Sequence, residues 1–214
     1  MNSIIDIHTH RTDAASALIS IDPRRFDAQP GLCYSVGFHP WDNIGSLTDS
    51  DFGLLRQCAT HPQVLAIGET GMDRLRGGNL LDQEAAFVRH LQLARDLGKP
   101  VIVHNVRATR DILDARHRAC LDDVTLVIHG FRGNANVARI LLDAGCYLSY
   151  GPRFNPGAVR ATPQDRLLIE TDDSDVPITR VATQVAQTIA LTTADVIELA
   201  TTNASLVLMC QKTH

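Results

Sequence analysis

Short, continuously apolar runs alternate along the chain with longer stretches whose apolar positions recur every three or four residues. The runs at 4–8, 18–21, 33–37, 64–68, 101–104, 124–129, 146–149 and 167–171 are rich in β-branched residues. Several are apolar throughout, as expected of parallel strands buried on both faces. Between them the period changes. Phe87, Leu91 and Ala94 line one face of a helix expected over 81–97, which Gly98 and Pro100 then stop. Val137, Ile140 and Leu141 repeat the pattern up to Gly145, and Val181, Val185 and Ile189 line a third helical face. Alternating strands and helices imply βαβ units, and eight strands imply an α/β chain closed as a (β/α)8 barrel. One crossover is too short for a helix: only residues 11–16 separate the first two runs. Parallel neighbours usually need a dozen or more connecting residues, so the barrel is expected to be distorted there, with its first crossover helix missing. No repeat or linker divides the chain, and residues 1–214 read as a single domain.

Polar residues of one chemical kind end these runs. In the segment DIHTH (6–10), period-two alternation puts Asp6, His8 and His10 on one face. Both imidazoles can then aim at one ion, with Asp6 as an acceptor beneath them. Glu69 follows the run at 64–68, His104 and His129 end two others, and Asp172 follows the last. A lone strand-end histidine is more often a satisfied core residue than a ligand. Here five strands each deliver a ligand-type side chain to the end where a barrel gathers its loops, which points to a metal site. Six ligands are too many for one catalytic ion with an open position. They suit two divalent ions about 3.5–4 Å apart sharing a carboxylate, and Glu69 is the natural bridge. A water held between the ions would be the nucleophile, with Asp172 orienting or deprotonating it. Histidine and carboxylate without thiolate suit magnesium, manganese or zinc rather than a structural cysteine-rich zinc site.

Composition narrows the function. The 214 residues carry 20 basic and 24 acidic side chains, a net charge of −4, so no broad basic surface for duplex nucleic acid is present. A nucleic-acid end inserted at a metal site remains compatible, because the ions supply local positive charge. Lys99 and Lys212 are the only lysines, and neither ends a strand run. The five cysteines, at 33, 58, 120, 146 and 210, include no CxxC pair and signal no disulfide frame. The sequence MNSIIDIHTH lacks the features of a signal peptide, and no apolar run approaches the roughly 20 residues of a membrane span. A reducing cytoplasm is the expected setting, and the sequence sets no oligomeric state.

Taken in order, DIHTH, GFHPW (37–41), AIGETGMD (66–73), PVIVH (100–104), VIHGFRGN (127–134), GCYLSYG (145–151) and LLIETD (167–172) resemble the TatD family of metal-dependent deoxyribonucleases, among the amidohydrolase-like barrels. TTNASLVL (201–208) is similar to the family's closing helix. The resemblance implies a TIM-type barrel, two divalent ions, and hydrolysis of phosphodiesters in single-stranded DNA or at DNA ends, in the manner of an exonuclease. It implies His8, His10 and Asp172 on one ion, His104 and His129 on the other, and Glu69 between them. The chain departs from the family pattern in its loops. The arginine after His104 stands at Arg107, one place later than usual. The segment after Asp172 is shortened, and Arg74 replaces a common aromatic. Among loop residues, His39, Arg74 and Arg132 are candidate substrate contacts, with Trp41, Asp73 and Arg76 beside them. His61, His90, His117 and His214 read as surface residues. Two other readings stand beside the nuclease. One is a hydrolase of a small ester, amide or phosphoester on the same scaffold; the other is a metal-binding protein that has lost turnover.

Overall fold

A computed structural model describes residues 3–209. Eight parallel strands close into a barrel in sequence order. They are β1 (Asp6–Thr9), β2 (Ala17–Ile21), β3 (Cys33–Val36), β4 (Val64–Asp73), β5 (Val101–Val106), β6 (Leu126–Ile128), β7 (Tyr147–Tyr150) and β8 (Leu167–Ile169). All eight coincide with the runs read from sequence. The helices are α1 (Asp49–Ala59), α2 (Leu80–Leu97), α3 (Thr109–Arg118), α4 (Ala135–Asp143), α5 (Pro156–Ala161), α6 (Ile178–Ile189) and α7 (Thr193–Met209). The expected boundaries of α2 hold because its ends are chemically marked. Asn79 accepts from the Leu81 amide at one end, and Gly98 takes φ +64 at the other.

Two crossovers lack an α-helix, one more than the sequence suggested. Residues 10–16 join β1 to β2 directly, as expected. Residues 22–32 join β2 to β3 through a single 3-10 turn at Pro23–Arg25. That segment has no three-to-four-residue apolar period, and Pro30 and Gly31 interrupt it. Side chains hold it in the place of a helix. Phe26 packs edge-on against Tyr34 with ring centroids 5.3 Å apart. The Gln63 side-chain amide donates to the Gln29 and Leu32 carbonyls at 2.6 and 2.7 Å.

The core has two parts. Ile7, Leu18, Ala66, Ile102, Val127 and Leu168 fill the barrel, and Ala204, Val207 and Leu208 of α7 pack against that filling from below. The larger part lies between the strands and the outer helices. Among the described residues no helix is long and apolar enough to cross a membrane. Cys58 and Cys146 are buried, Cys33 is half-buried and Cys120 is exposed, while Cys210, His214 and Lys212 lie outside the described residues. Lys99 sits at the start of β5, far from the strand ends, and donates to the Ala59 and Val64 carbonyls.

His90 is not a surface residue. It is fully buried on the apolar face of α2, where Nε2 accepts from the Phe38 amide at 3.0 Å and Nδ1 faces the Ala86 carbonyl at 2.7 Å. The second contact requires the proton on Nδ1, so a second proton would place two donors against each other. Burial pushes its pKa down to about 4, against the Ala86 carbonyl, which favours the charged form, and with the help of Arg89. A folded pKa below the unfolded value of about 6.5 means the folded state binds fewer protons. The associated stability is complete above pH 6.5 and is lost as pH falls towards 4, by about 3 kcal/mol. Urea unfolding of the wild type and His90→Gln between those limits should show that excess loss in the wild type alone. Parallel curves would remove His90 from the acid sensitivity.

Candidate metal centre

The chain at and just beyond the ends of β1, β5, β6 and β8 brings the other five predicted side chains, His8, His10, His104, His129 and Asp172, around the Glu69 carboxylate of β4. Its two oxygens face different groups. Oε1 lies 2.7 Å from His129 Nε2 and 2.8 Å from His104 Nδ1. Oε2 lies 3.3 Å from His8 Nε2 and 3.4 Å from His10 Nε2. Asp172 Oδ1 stands 3.6 Å from each of those last two nitrogens. Ligand-type atoms therefore gather as His8, His10 and Asp172 on one side and as His8, Glu69 and His129, or His39, Glu69 and His104, around the rest.

Backbone geometry explains why the atoms converge. Glu69 sits in a strand flanked by two glycines, at φ +127 for Gly68 and +142 for Gly71. A Cβ on Gly71 would stand 2.1 Å from the His104 carbonyl oxygen, and one on Gly68 2.5 Å from that of Ile102. Only glycine permits such close approach of β4 to β5. On the other side of the centre, Asp172 adopts φ +55, a conformation that aspartate tolerates better than most residues. Its amide donates to the His8 carbonyl at 3.0 Å, and its own carbonyl accepts from the His10 amide at 3.2 Å. Asp172 and the two histidines of β1 are thereby fixed as one unit.

The expected place of Asp6 needs correction. A register shift falls between Asp6 and Thr9, so simple alternation fails there. Asp6 accepts from the Thr171 amide at 3.0 Å and from its hydroxyl at 2.6 Å. It braces the segment between Glu170 and Asp172 and takes no proton from His8 or His10.

The polar atoms fit a cation. Both ring nitrogens of His8, Glu69 Oε2 and Glu170 Oε2 are buried and without a hydrogen-bond partner. Leaving such atoms unsatisfied costs about 1–3 kcal/mol each, and among the described residues only Ser35, Ser149 and Gln184 hold others like them outside this centre. The two carboxylates are held in the ionised form that ligation requires, and the imidazoles that hold them so would yield their extra protons to a bound cation. Burial opposes ionisation of Glu69, but the His129 and His8 imidazoles hold its carboxyl well below the usual range. Burial likewise opposes Asp172, which its His8 contact brings down to about 2.

The other candidates fall into two groups. His39 belongs to the cluster: its Nδ1 accepts from the Trp41 amide at 3.1 Å, which leaves the proton on Nε2, 3.0 Å from Glu69 Oε1. Trp41, 46% exposed, donates from its indole to Asp73 Oδ2 at 2.8 Å, and the Arg76 guanidinium lies over its ring at 4.8 Å. Asp73 also accepts from the Leu75 and Arg76 amides, so it shapes its own loop. Arg74 is turned to Asp111, with two contacts of 2.7 and 2.6 Å, and is not brought to the cluster. Arg132 is exposed beside it, in a cleft lined by Asp172 and Glu170.

Glu170 escaped the sequence reading. It is fully buried. Its Oε1 accepts from the Gly130 amide at 2.6 Å and faces His129 Nδ1 at 3.4 Å. It directly follows β8, two residues before Asp172, so the strand-end placement that selected Asp172 also marks it. A carboxylate on Nδ1 fixes the tautomer that leaves Nε2 free for a cation. Glu170→Gln is expected to weaken metal affinity about 10–100-fold, read by competition with a chelating dye. Unchanged affinity would make Glu170 a mere anchor for Gly130.

The model of the family described as TatD related DNase matches residues 24–209. An uncharacterized metal-dependent hydrolase, TatD, of Mycobacterium tuberculosis is 36% identical over 151 residues, covering 64% of this chain and 56% of that protein. A protein of Musicola paradisiaca named 3'-5' ssDNA/RNA exonuclease TatD is 37% identical over 162 residues, covering 70% of this chain and 60% of its own. The chain thus spans a little over half the length of these relatives. In solved structures, the TatD homolog YJJV of Escherichia coli superposes with a TM-score of 0.82 at 20% identity, covering 97% of this chain and 98% of that one. The match across most of the sequence, on a closed barrel with this histidine and carboxylate cluster at its strand ends, identifies the chain as a member of the TatD related DNase family.

Proposed function

We propose that this chain is a hydrolase that uses two divalent cations to cleave phosphodiesters at the end of a single-stranded nucleic acid. The observation that carries the reading is the division of Glu69, one oxygen towards His8 and His10 and the other towards His104 and His129. In this reading His8, His10 and Asp172 hold one cation, His104 and His129 the other, and Glu69 both. A donor set rich in imidazole suits zinc or manganese better than magnesium, which favours oxygen. Bound cations of this kind polarise a phosphoryl oxygen and ease deprotonation of water. The Musicola relative named as an ssDNA/RNA exonuclease supports the substrate class.

The chain's own residues have separable tasks. Asp172, 22% exposed at its side chain, has an edge open to the mouth and takes the proton from the attacking water. Glu170 holds the His129 ring, and His39 donates to Glu69 from a tautomer fixed by the Trp41 amide. Trp41 offers an exposed, clamped aromatic face beside the centre for stacking a terminal base.

The test is a cleavage panel. Purified protein is given single-stranded DNA, single-stranded RNA, a chromogenic phosphodiester and a chromogenic carboxylic ester, each with magnesium, manganese or zinc. Metal-dependent loss of nucleotides from the polymers is expected. Turnover confined to the carboxylic ester would replace this reading with that of a small-ester hydrolase. Tight metal binding with inactivity on all four would favour a protein that has lost turnover.

A further inference from the structure

Several arginines of this chain have a carboxylate to answer them. Arg24, Arg56, Arg74, Arg89 and Arg118 each form an ion pair within the fold. Arg107, Arg132 and Arg153 form neither an ion pair nor a hydrogen bond among the described residues, and all three are exposed. Their positions are not scattered. They follow the C-terminal ends of β5, β6 and β7, three adjacent strands of the barrel. Arg132 and Arg153 line one cleft, and Asp172 and Glu170 of the candidate centre are part of its wall. The next loop, after β8, carries Asp173, which lines the same cleft, and Asp175, so the cationic stretch is bounded on that side and does not reach Arg11.

In a chain of net charge −4, three uncompensated guanidinium groups on consecutive mouth loops form a local reversal of sign. Neighbouring strands lie about 5 Å apart. Loops leaving three of them in succession therefore present cations at short intervals, as a polynucleotide presents anions. Guanidinium groups suit phosphate oxygens because they can donate two parallel hydrogen bonds. Arg107 holds φ +53, and Asn105 pins that turn by accepting from the Ala108 amide at 3.3 Å and donating to Thr109 Oγ1 at 2.9 Å. The turn is thus fixed while the guanidinium is left without a partner.

We infer that Arg107, Arg132 and Arg153 form a track for phosphates beyond the one at the metal centre, so that this chain selects a strand of several nucleotides over a dinucleotide or small phosphodiester. The inference rests on the phosphodiesterase reading above and adds a length requirement to it. Specificity of this kind is electrostatic and independent of base sequence.

The experiment measures binding of end-labelled oligothymidylates, from dinucleotide to octamer, to the full chain across a salt series. Three phosphate contacts on a single strand give a slope of log affinity against log salt near −2. Each of Arg107→Gln, Arg132→Gln and Arg153→Gln should make it shallower by about 0.7, while the corresponding lysine variants keep it. The octamer should bind about tenfold or more tighter than the dinucleotide. Arg160→Gln and Arg180→Gln, on α5 and α6, serve as controls and should leave the slope alone. A triple glutamine variant with the wild-type slope, or controls that lower it equally, would overturn the track. Cleavage of the same oligomers is followed in parallel. Salt-dependent binding that needs the arginines without any cleavage would sink the phosphodiesterase reading and leave the track standing. Cleavage indifferent to the arginines would do the reverse.

Discussion

Glu69→Gln is expected to lower turnover by about a thousandfold or more and to leave the protein with less metal after purification. Glutamine keeps the size of the side chain but has one carbonyl oxygen and one amide nitrogen. It can accept from one side of the centre only, whereas the carboxylate faces five imidazoles within 3.4 Å through two oxygens. Loss of a shared ligand removes several kcal/mol of charge stabilisation, and each 1.36 kcal/mol is a factor of ten in rate. Elemental analysis beside a steady-state assay separates the two effects. A variant with wild-type turnover and full metal content would show that Glu69 is not the bridge. Its folded state, checked by circular dichroism, should survive, because the glycines beside it are untouched.

Gly71→Ala should act on the fold itself, and more severely than its size suggests. The added methyl meets the His104 carbonyl at 2.1 Å, a backbone atom that cannot swing aside, and φ +142 is a conformation of glycine. Strain of this type costs about 1–3 kcal/mol before the clash is counted, and the sum reaches the range of exceptionally damaging substitutions, about 4–5 kcal/mol. A fall in melting temperature of about 10 °C or more, or loss of soluble protein, is the expected outcome. Gly53→Ala supplies the contrast. Gly53 lies in α1 with nothing within 4 Å of its missing Cβ, so alanine should raise stability by about 1 kcal/mol. Equal melting temperatures for the two variants would show that β4 and β5 yield easily.

The candidate ligands were legible because their chemistry and their placement agree. Glu69, His104 and His129 come at or just after the ends of apolar runs, and closing a barrel gathers such ends. Glu170 lies at the end of the run that precedes Asp172 but was passed over for the carboxylate nearest the loop. His90 shares the apolar face of α2 with Phe87 and Leu91, and that spacing outweighs its polarity. Other features depend on contacts between distant segments. The contact of Asp6 with Thr171 joins segments far apart in the chain through the pairing of β1 with β8, and nothing within DIHTH announces it. β4 runs to Asp73, well past the expected 68, because Thr70, Gly71, Met72 and Asp73 pair with β5, although Gly71 in that stretch argues locally against a strand. Arg74 looked like a mouth cation in sequence, but Asp111 lies far along the chain and close in the fold.

The α7 residues that pack under the barrel filling have a consequence for a polymer substrate. With Val207 and Leu208 set against the side chains that fill it, the barrel interior is packed core and not a pore. A strand cannot be threaded through it, as it is through a ring-shaped enzyme. On the proposed reading, each nucleotide cleaved would leave by the opening through which the next one enters, so that departure of the product and advance of the strand would compete for the same doorway.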